Sequence, residues 1–336
     1  MTLDADCTTD ATILVLDGYT LDGAGNTITA VDPPAGHFVG GVVENAGAVA
    51  HVMNLTVTAS GLADVCDAGD DRLRGIMFDG ASGSIMNNTV TGINQGFSGC
   101  QEGNGIEVRN APFDGTHPNT QKVVISGNSV LDYQKNGITA NGDVSARIVG
   151  NTVTGLGPVI FIAQNGIQFG FGGTGQARDN VINGSWYTGA SWSASGLLIF
   201  EASGVTAQGN TINASQIGVG IETWCWLAPQ ANGNHVVGNT INGSDYGVSV
   251  AAYDFAGLST CDPVADNNKI VNNVLSSPGL EGVEGIFVGA ADVGGGAGHT
   301  PSAGNSKVIN NKISGFTTAI VTSGDAETKV HANAAE

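Results

Sequence analysis

An asparagine followed by two or three β-branched or aliphatic residues returns along almost the whole chain, and this recurrence limits the fold more than any other feature. It appears as Asn26-Thr27-Ile28, Asn54-Leu55-Thr56-Val57, Asn88-Thr89-Val90, Asn128-Ser129-Val130 and Asn151-Thr152-Val153. It continues as Asn180-Val181-Ile182, Asn210-Thr211-Ile212, Asn239-Thr240-Ile241, Asn273-Val274-Leu275 and Asn311-Lys312-Ile313. A second unit, glycine then apolar, any residue, apolar, alternates with it: Gly75-Ile76-Met77-Phe78, Gly105-Ile106-Glu107-Val108 and Gly166-Ile167-Gln168-Phe169. Gly196-Leu197, Gly218-Val219, Gly247-Val248 and Gly285-Ile286 repeat it. Self-similarity at a period of roughly 20–50 residues marks a solenoid or array, and the period-two apolar alternation inside each unit marks short strands with one buried face. A leucine-rich repeat would need a dense Leu comb and a propeller would need antiparallel blades; neither pattern is present. The expected fold is all-β, a single right-handed parallel β-helix of about ten coils over 1–336. Residues 1–35 are expected to form the N-terminal cap and first coil, and 324–336 a C-terminal tail.

Composition agrees. The 52 Gly and 12% charged residues could suit disorder, but 41% hydrophobic residues, regularly placed, do not. The net charge of -19 opposes the field that DNA or RNA would need. All the Arg (Arg72, Arg74, Arg109, Arg147, Arg178) fall in the N-terminal and central part, which leaves room for an anionic substrate there. No stretch is long and apolar enough to span a membrane. Residues 1–20 lack the regions of a signal peptide, so the start is read as a mature or trimmed one of a secreted protein.

The recurrent Asn is read as structural: at a tight turn it tolerates the left-handed region, bonds nearby backbone and stacks from coil to coil as a ladder. An ice-binding array is excluded because Ser129, Val181, Val274 and Lys312 interrupt the Thr column. The Asn-x-Val/Ile and Gly-Ile-x-Val units resemble the parallel β-helix repeats of the pectate-lyase-like superfamily, including its carbohydrate-processing and NosD-like members. The resemblance covers roughly residues 10–323. It implies the fold rather than an activity, since the repeat residues are scaffold and that superfamily holds lyases, hydrolases, isomerases and binding proteins.

Cys66 and Cys100 lie in loops before successive Gly-Ile strands, and Cys225 and Cys261 follow two successive strands. With coils stacked about 4.8 Å apart, each pair is expected to form an inter-coil disulfide suited to an oxidising compartment. Cys7 is left over. The six His show no metal-ligand spacing, and His117 alone neighbours the expected site. No cofactor motif is present; Ca²⁺ is the metal that scattered carboxylates would suit, though without an EF-hand or nonapeptide signature.

One sheet alone is flanked by insertions on both sides, at 59–73, 92–103, 155–164 and 184–194 before its strands and at 110–121, 223–234, 251–266 and 289–305 after them. A sheet walled by loops is a groove. Alternation puts Met77/Asp79, Glu107/Arg109, Thr139/Asn141, Gln168, Leu198/Phe200, Glu222, Ser249 and Phe287 on its floor. Stacking is expected to place Asp79 beside Arg109 with Glu107 next to both, and Lys135 in the following coil. Such a cluster suits a uronan lyase, in which Lys or Arg takes the proton α to a carboxylate. It suits equally a glycosidase using Glu107 with Asp79 or Asp114, or a surface ion-pair ladder. Trp186, Tyr187 and Trp192 are expected on one wall, and Trp224, Trp226, Tyr253 and Phe255 on the other, stacking on sugar rings or closing an apolar pocket. Glu222 beside them would be a general acid. The expected function is a secreted carbohydrate-active enzyme, a polysaccharide lyase or glycoside hydrolase. The alternatives are a small-molecule isomerase or cyclase using the aromatic pocket, or a non-catalytic glycan-binding solenoid.

Overall fold

The computed structural model describes residues 1–96, 98–113, 120–190, 192–228, 230–277, 282–323 and 327–335. Three parallel sheets of 12, 11 and 11 strands run the length of the molecule, each strand bonded to its counterparts one coil before and one coil after. One coil reads Asn104–Asn110, Gln121–Ser126, Ser129–Leu131, and the next begins at Asn136–Gly142. Eleven to twelve strands per sheet among the described residues agree with the expected solenoid of about ten coils. At the C-terminal end Lys329–His331 pairs with Lys307–Ile309, and Ala334 and Ala335 with Lys312 and Ile313. Among the described residues the one helical element is the 3-10 turn Gly69–Asp71, and no helix is long and apolar enough to cross a membrane.

The core is a set of stacked apolar rows. Ile76, Ile106, Ile138, Ile167, Leu197, Val219, Val248 and Ile286 are in register and fully buried. The glycine before each of them has a steric cause. An added Cβ on Gly105 would come 2.8 Å from the Gly137 carbonyl oxygen and strike the Val130 side chain. With Gly105 and Ile106 both turned inward, Asn104 and Glu107 both face out.

The asparagine column is a continuous hydrogen-bonded ladder from Asn88 through Asn128, Asn151, Asn180, Asn210, Asn239, Asn273 and Asn311 to Asn333. At each step the backbone N–H and Nδ2 of one residue donate to Oδ1 of the next, at 2.9–3.0 Å. Each Nδ2 also reaches a strand carbonyl, as Asn180 does to Ile148 at 3.0 Å. This satisfies polar groups that the turn buries. The left-handed residue is the one before the ladder asparagine (Asn87, Asp179, Asn272, Asn310), not the asparagine itself. Asn54 is such a left-handed residue, and Leu55 occupies the ladder position, donating its N–H to Asn88.

Candidate functional site: a groove along one sheet

Three outward-facing rows of the 11-stranded sheet that contains Asn104–Asn110 form the floor. The first runs Arg74, Asn104, then Asn136, Asn165, Ser195, Ile217, Tyr246 and Glu284. The second runs Met77, Glu107, Thr139, Gln168, Leu198, Gly220, Ser249 and Phe287, and the third Asp79, Arg109, Asn141, Gly170, Phe200, Glu222, Ala251 and Gly289. Seven coil spacings make this floor roughly 34 Å long. The cavity over it measures about 1290 Å³. Its character changes along its length: charged, then amide-rich, then aromatic.

At the charged end, Glu107 accepts from Arg74 Nε at 2.5 Å and Asn104 Nδ2 at 2.9 Å. Burial by itself would raise its carboxyl, but the Arg74 charge and hydrogen bond overcome this and hold it below the ordinary range. Arg109 binds Asp79 Oδ2 through Nε and Nη2, at 3.1 and 2.9 Å, and also Asp70. The expected Asp79–Arg109 contact is therefore present, whereas the partners of Glu107 are Arg74 and Asn104. An alternation counted from Gly75 misses Arg74; the polar residue before each Gly-Ile unit is the signal that could have found it. Lys135 lines the groove with Nζ donating to the Ala163 carbonyl at 2.7 Å and no carboxylate partner among the described residues. Burial brings its ammonium down to about 8.

The middle is an amide lane. Asn165 Nδ2 donates to Asn136 at 3.1 Å, Gln168 Nε2 to Asn141 at 3.1 Å, and Asn165 Oδ1 accepts the Ser195 N–H. Asn104 Oδ1 is buried without a partner.

The far end is a run of ring contacts. Phe113 stacks on Phe171 at 5.2 Å; Phe171 meets Phe200 and Trp226; Phe200 meets Trp224 at 4.8 Å; Trp224 meets Phe255, and Phe255 meets Tyr253. The two walls touch: Trp192, before the strand Ser195–Phe200, stacks on Trp224, after the strand Ile217–Thr223, at 5.3 Å. Leu198, Tyr187 and Trp226 also line the groove; Trp186 does not, and pairs with Pro158 in another sheet. The Glu222 side chain makes no hydrogen bond or ion pair among the described residues, and burial pushes its carboxyl up to about 7. Its Oε1 comes close over Gly220, where an added Cβ would meet Ser195 Oγ at 3.1 Å, Glu222 Oε1 at 3.2 Å and Leu198 at 3.3 Å. The indole N–H of Trp224 is buried without an acceptor among the described residues.

The walls are more ordered than insertions suggest. Parts of 155–164, 184–194, 251–266 and 289–305 are strand: Val159 pairs with Tyr187, and Phe255 with Val293. Glu201, fully buried, accepts the N–H groups of Trp226, Leu227 and Ala228 at 2.5, 2.8 and 2.9 Å. Asp254 likewise holds Ala297, Gly298 and His299. Disulfides join Cys66 to Cys100 and Cys225 to Cys261, the pairs expected from coil stacking, with Cα atoms 5.1 and 5.5 Å apart; Cys7 is free. Asp114 and His117 lie outside the described residues.

The chain is thus a right-handed parallel β-helix protein with one walled groove, and the expected kinship with pectate-lyase-like solenoids holds for the fold. Residues 187–332 match a family model described as a protein of unknown function, DUF1565. No curated protein matches. Among solved structures, a double mutant of the periplasmic alginate epimerase AlgG superposes with a TM-score of 0.58 at 12% identity, over 98% of this chain and 78% of that one. Unmutated AlgG gives 0.55 at 11% identity with the same coverage. A polygalacturonase from Erwinia carotovora ssp. carotovora gives 0.50 at 11% identity over 97% of both chains.

Proposed function

We propose that this protein is carbohydrate-active and acts outside the reducing cytosol. An acidic saccharide would lie along the groove, and Lys135 would remove the proton α to its carboxylate. The observation that carries the reading is Lys135 itself: a groove-lining lysine with no carboxylate partner among the described residues and an ammonium brought down to about 8. A base of that strength is partly neutral near pH 7 and suited to proton abstraction. Arg72, which also lines the groove and forms no ion pair among the described residues, would neutralise the substrate carboxylate. The amide lane and the free Trp224 N–H suit sugar hydroxyls, and the exposed faces of Trp192 and Trp226 suit sugar rings.

Proton abstraction at that carbon is the first step of both β-elimination and epimerisation, and AlgG is by its name an alginate epimerase. A glycosidase is less well supported. Arg74 holds the Glu107 carboxyl below its ordinary range and Arg109 binds Asp79, so both carboxylates that reading needs are engaged in ion pairs. Glu222 lies three coils from Lys135, roughly 14 Å along the axis alone, too far to share a bond with it.

The test is incubation with alginate, pectate and neutral glycans, reading ultraviolet absorbance for unsaturated products and proton NMR for inverted uronates. The proposal expects one of the two signals, lost by about 100-fold or more in Lys135→Ala. Saturable binding with neither signal would favour the second reading, glycan binding without turnover, for which the saturated Arg74–Glu107 and Arg109–Asp79 pairs speak.

A further inference from the structure

The two ends of the groove differ in charge. The cations on its lining, Arg72, Arg74, Arg109 and Lys135, belong to the charged end, whereas the aromatic end holds Glu222 and Glu284 and no lining cation among the described residues. Neither of these carboxylates has a side-chain partner among the described residues. A carboxylate taken from water and left unpaired is costly, and among the described residues no side chain around Glu222 donates to it. The rings around it supply π faces and edges from three strands: Phe200 from the coil before, Trp224 two residues on in the same chain direction, Tyr253 from the coil after, with Trp192 reaching in from the opposite wall. Aromatic faces beside a carboxylate form the arrangement that recognises organic ammonium groups.

We propose that the aromatic end of the groove is an ammonium-binding site, with Glu222 as the counter-ion and Trp192, Trp224, Phe200 and Tyr253 as its walls. The inference rests on the saccharide reading for the rest of the ligand and narrows it to a saccharide bearing a free amine. Glu222 and these rings line one cavity, and Glu222 Oε1 and Ser195 Oγ converge over Gly220 on its floor, so the carboxylate and a hydroxyl acceptor stand side by side. A hydrophobic ligand would leave the carboxyl protonated and gain nothing from its ionisation, so the two ligand types separate by pH. The titratable group facing Glu222 is Tyr253 from the next strand, which itself feels Tyr246 of that strand and Glu284 of the one after. The strand Ser195–Phe200 before it carries none.

Three of the four tryptophans, Trp192, Trp224 and Trp226, line this end of the groove, so intrinsic fluorescence reports it. The experiment titrates the protein with tetramethylammonium, which does not titrate itself, and with glucosamine oligomers against their N-acetylated forms. The proposal expects saturable quenching by tetramethylammonium, strengthening as pH rises from about 6 to about 8 while Glu222 ionises. It expects free-amine oligomers to bind about tenfold tighter than N-acetylated ones. Glu222→Gln should abolish both the preference and the pH dependence, and Trp192→Ala, a change on an exposed wall, should weaken tetramethylammonium binding without loss of fold. No saturable response, or an unchanged one in Glu222→Gln, would overturn the proposal. N-acetylated oligomers binding while tetramethylammonium does not would overturn it and leave the saccharide reading intact. Tetramethylammonium binding without either oligomer would support the ammonium site and overturn its assignment to glucosamine-type sugars, the alginate and pectate assays deciding the acidic-saccharide reading separately.

Discussion

Trp192 and Trp224 approach from opposite sides of the floor and stack with their ring centroids 5.3 Å apart and their planes 25° apart. The contact joins the wall before one coil's floor strand to the wall after the next, so the groove is bridged at that point rather than open along its whole length. An aromatic pair of this kind contributes about 0.5–1.5 kcal/mol beyond area burial. Because Trp192 is 48% exposed, Trp192→Ala should cost only about 1 kcal/mol in urea unfolding while weakening ligand binding at the aromatic end. A large loss of stability without any change in binding would assign the ring to packing alone.

The Arg74–Glu107 pair is buried on both sides, at 3% and 4% side-chain exposure. Removing one partner strands a charge, so Arg74→Met should destabilise by about 3–5 kcal/mol and the Arg74→Met/Glu107→Leu double variant by much less. The folded Glu107 carboxyl lies below the ordinary 4.5. Its contribution is therefore present above that value and lost as pH falls through the lower folded one. Acid unfolding of the double variant should lack this component.

Glu222 has the opposite sign. Its folded carboxyl sits at about 7 against an ordinary 4.5, so the native state holds a proton that the unfolded chain has released. Stability is full below about 4.5 and declines as pH rises through about 7, a loss on the order of 1–3 kcal/mol. Glu222→Gln should flatten that decline, being more stable than the parent at pH 8 and equal to it near pH 4, as measured by urea midpoints.

Asn180 bonds both neighbours of the ladder: it accepts from Asn151 and donates to Asn210 and to the Ile148 carbonyl. Asn180→Ala leaves buried groups unpaired at about 1–3 kcal/mol each, so a loss of roughly 3 kcal/mol or more is expected. Asn26 belongs to the same sequence pattern but stands outside the ladder, bonding Leu3; Asn26→Ala should cost clearly less. Equal losses would mean that the ladder adds nothing.

Features set by period two and by coil spacing were legible in the sequence. Ile106 and Val108 turn in and Glu107 and Arg109 turn out because strand side chains alternate. The Cys pairs meet because equivalent points on successive coils are close. Features that depend on breaks in that period were hidden. Gly105 interrupts the alternation, which brings Asn104 and Arg74 onto the floor and gives Glu107 a partner that counting from Gly75 misses. Asn54 and Asn88 look alike in sequence, yet one is the turn residue and the other the first rung. The contacts of Phe113 with Phe171 and of Trp192 with Trp224 depend on wall conformation, which no repeat encodes.

A crystal structure of the protein soaked with an acidic oligosaccharide tests the account most directly. The account predicts sugar density along the floor of the groove sheet, with hydroxyls bonded to the amides of Asn141 and Gln168 and a carboxylate near Lys135 and Arg72. Sugar bound on either of the other two sheets, with this groove empty, would contradict it.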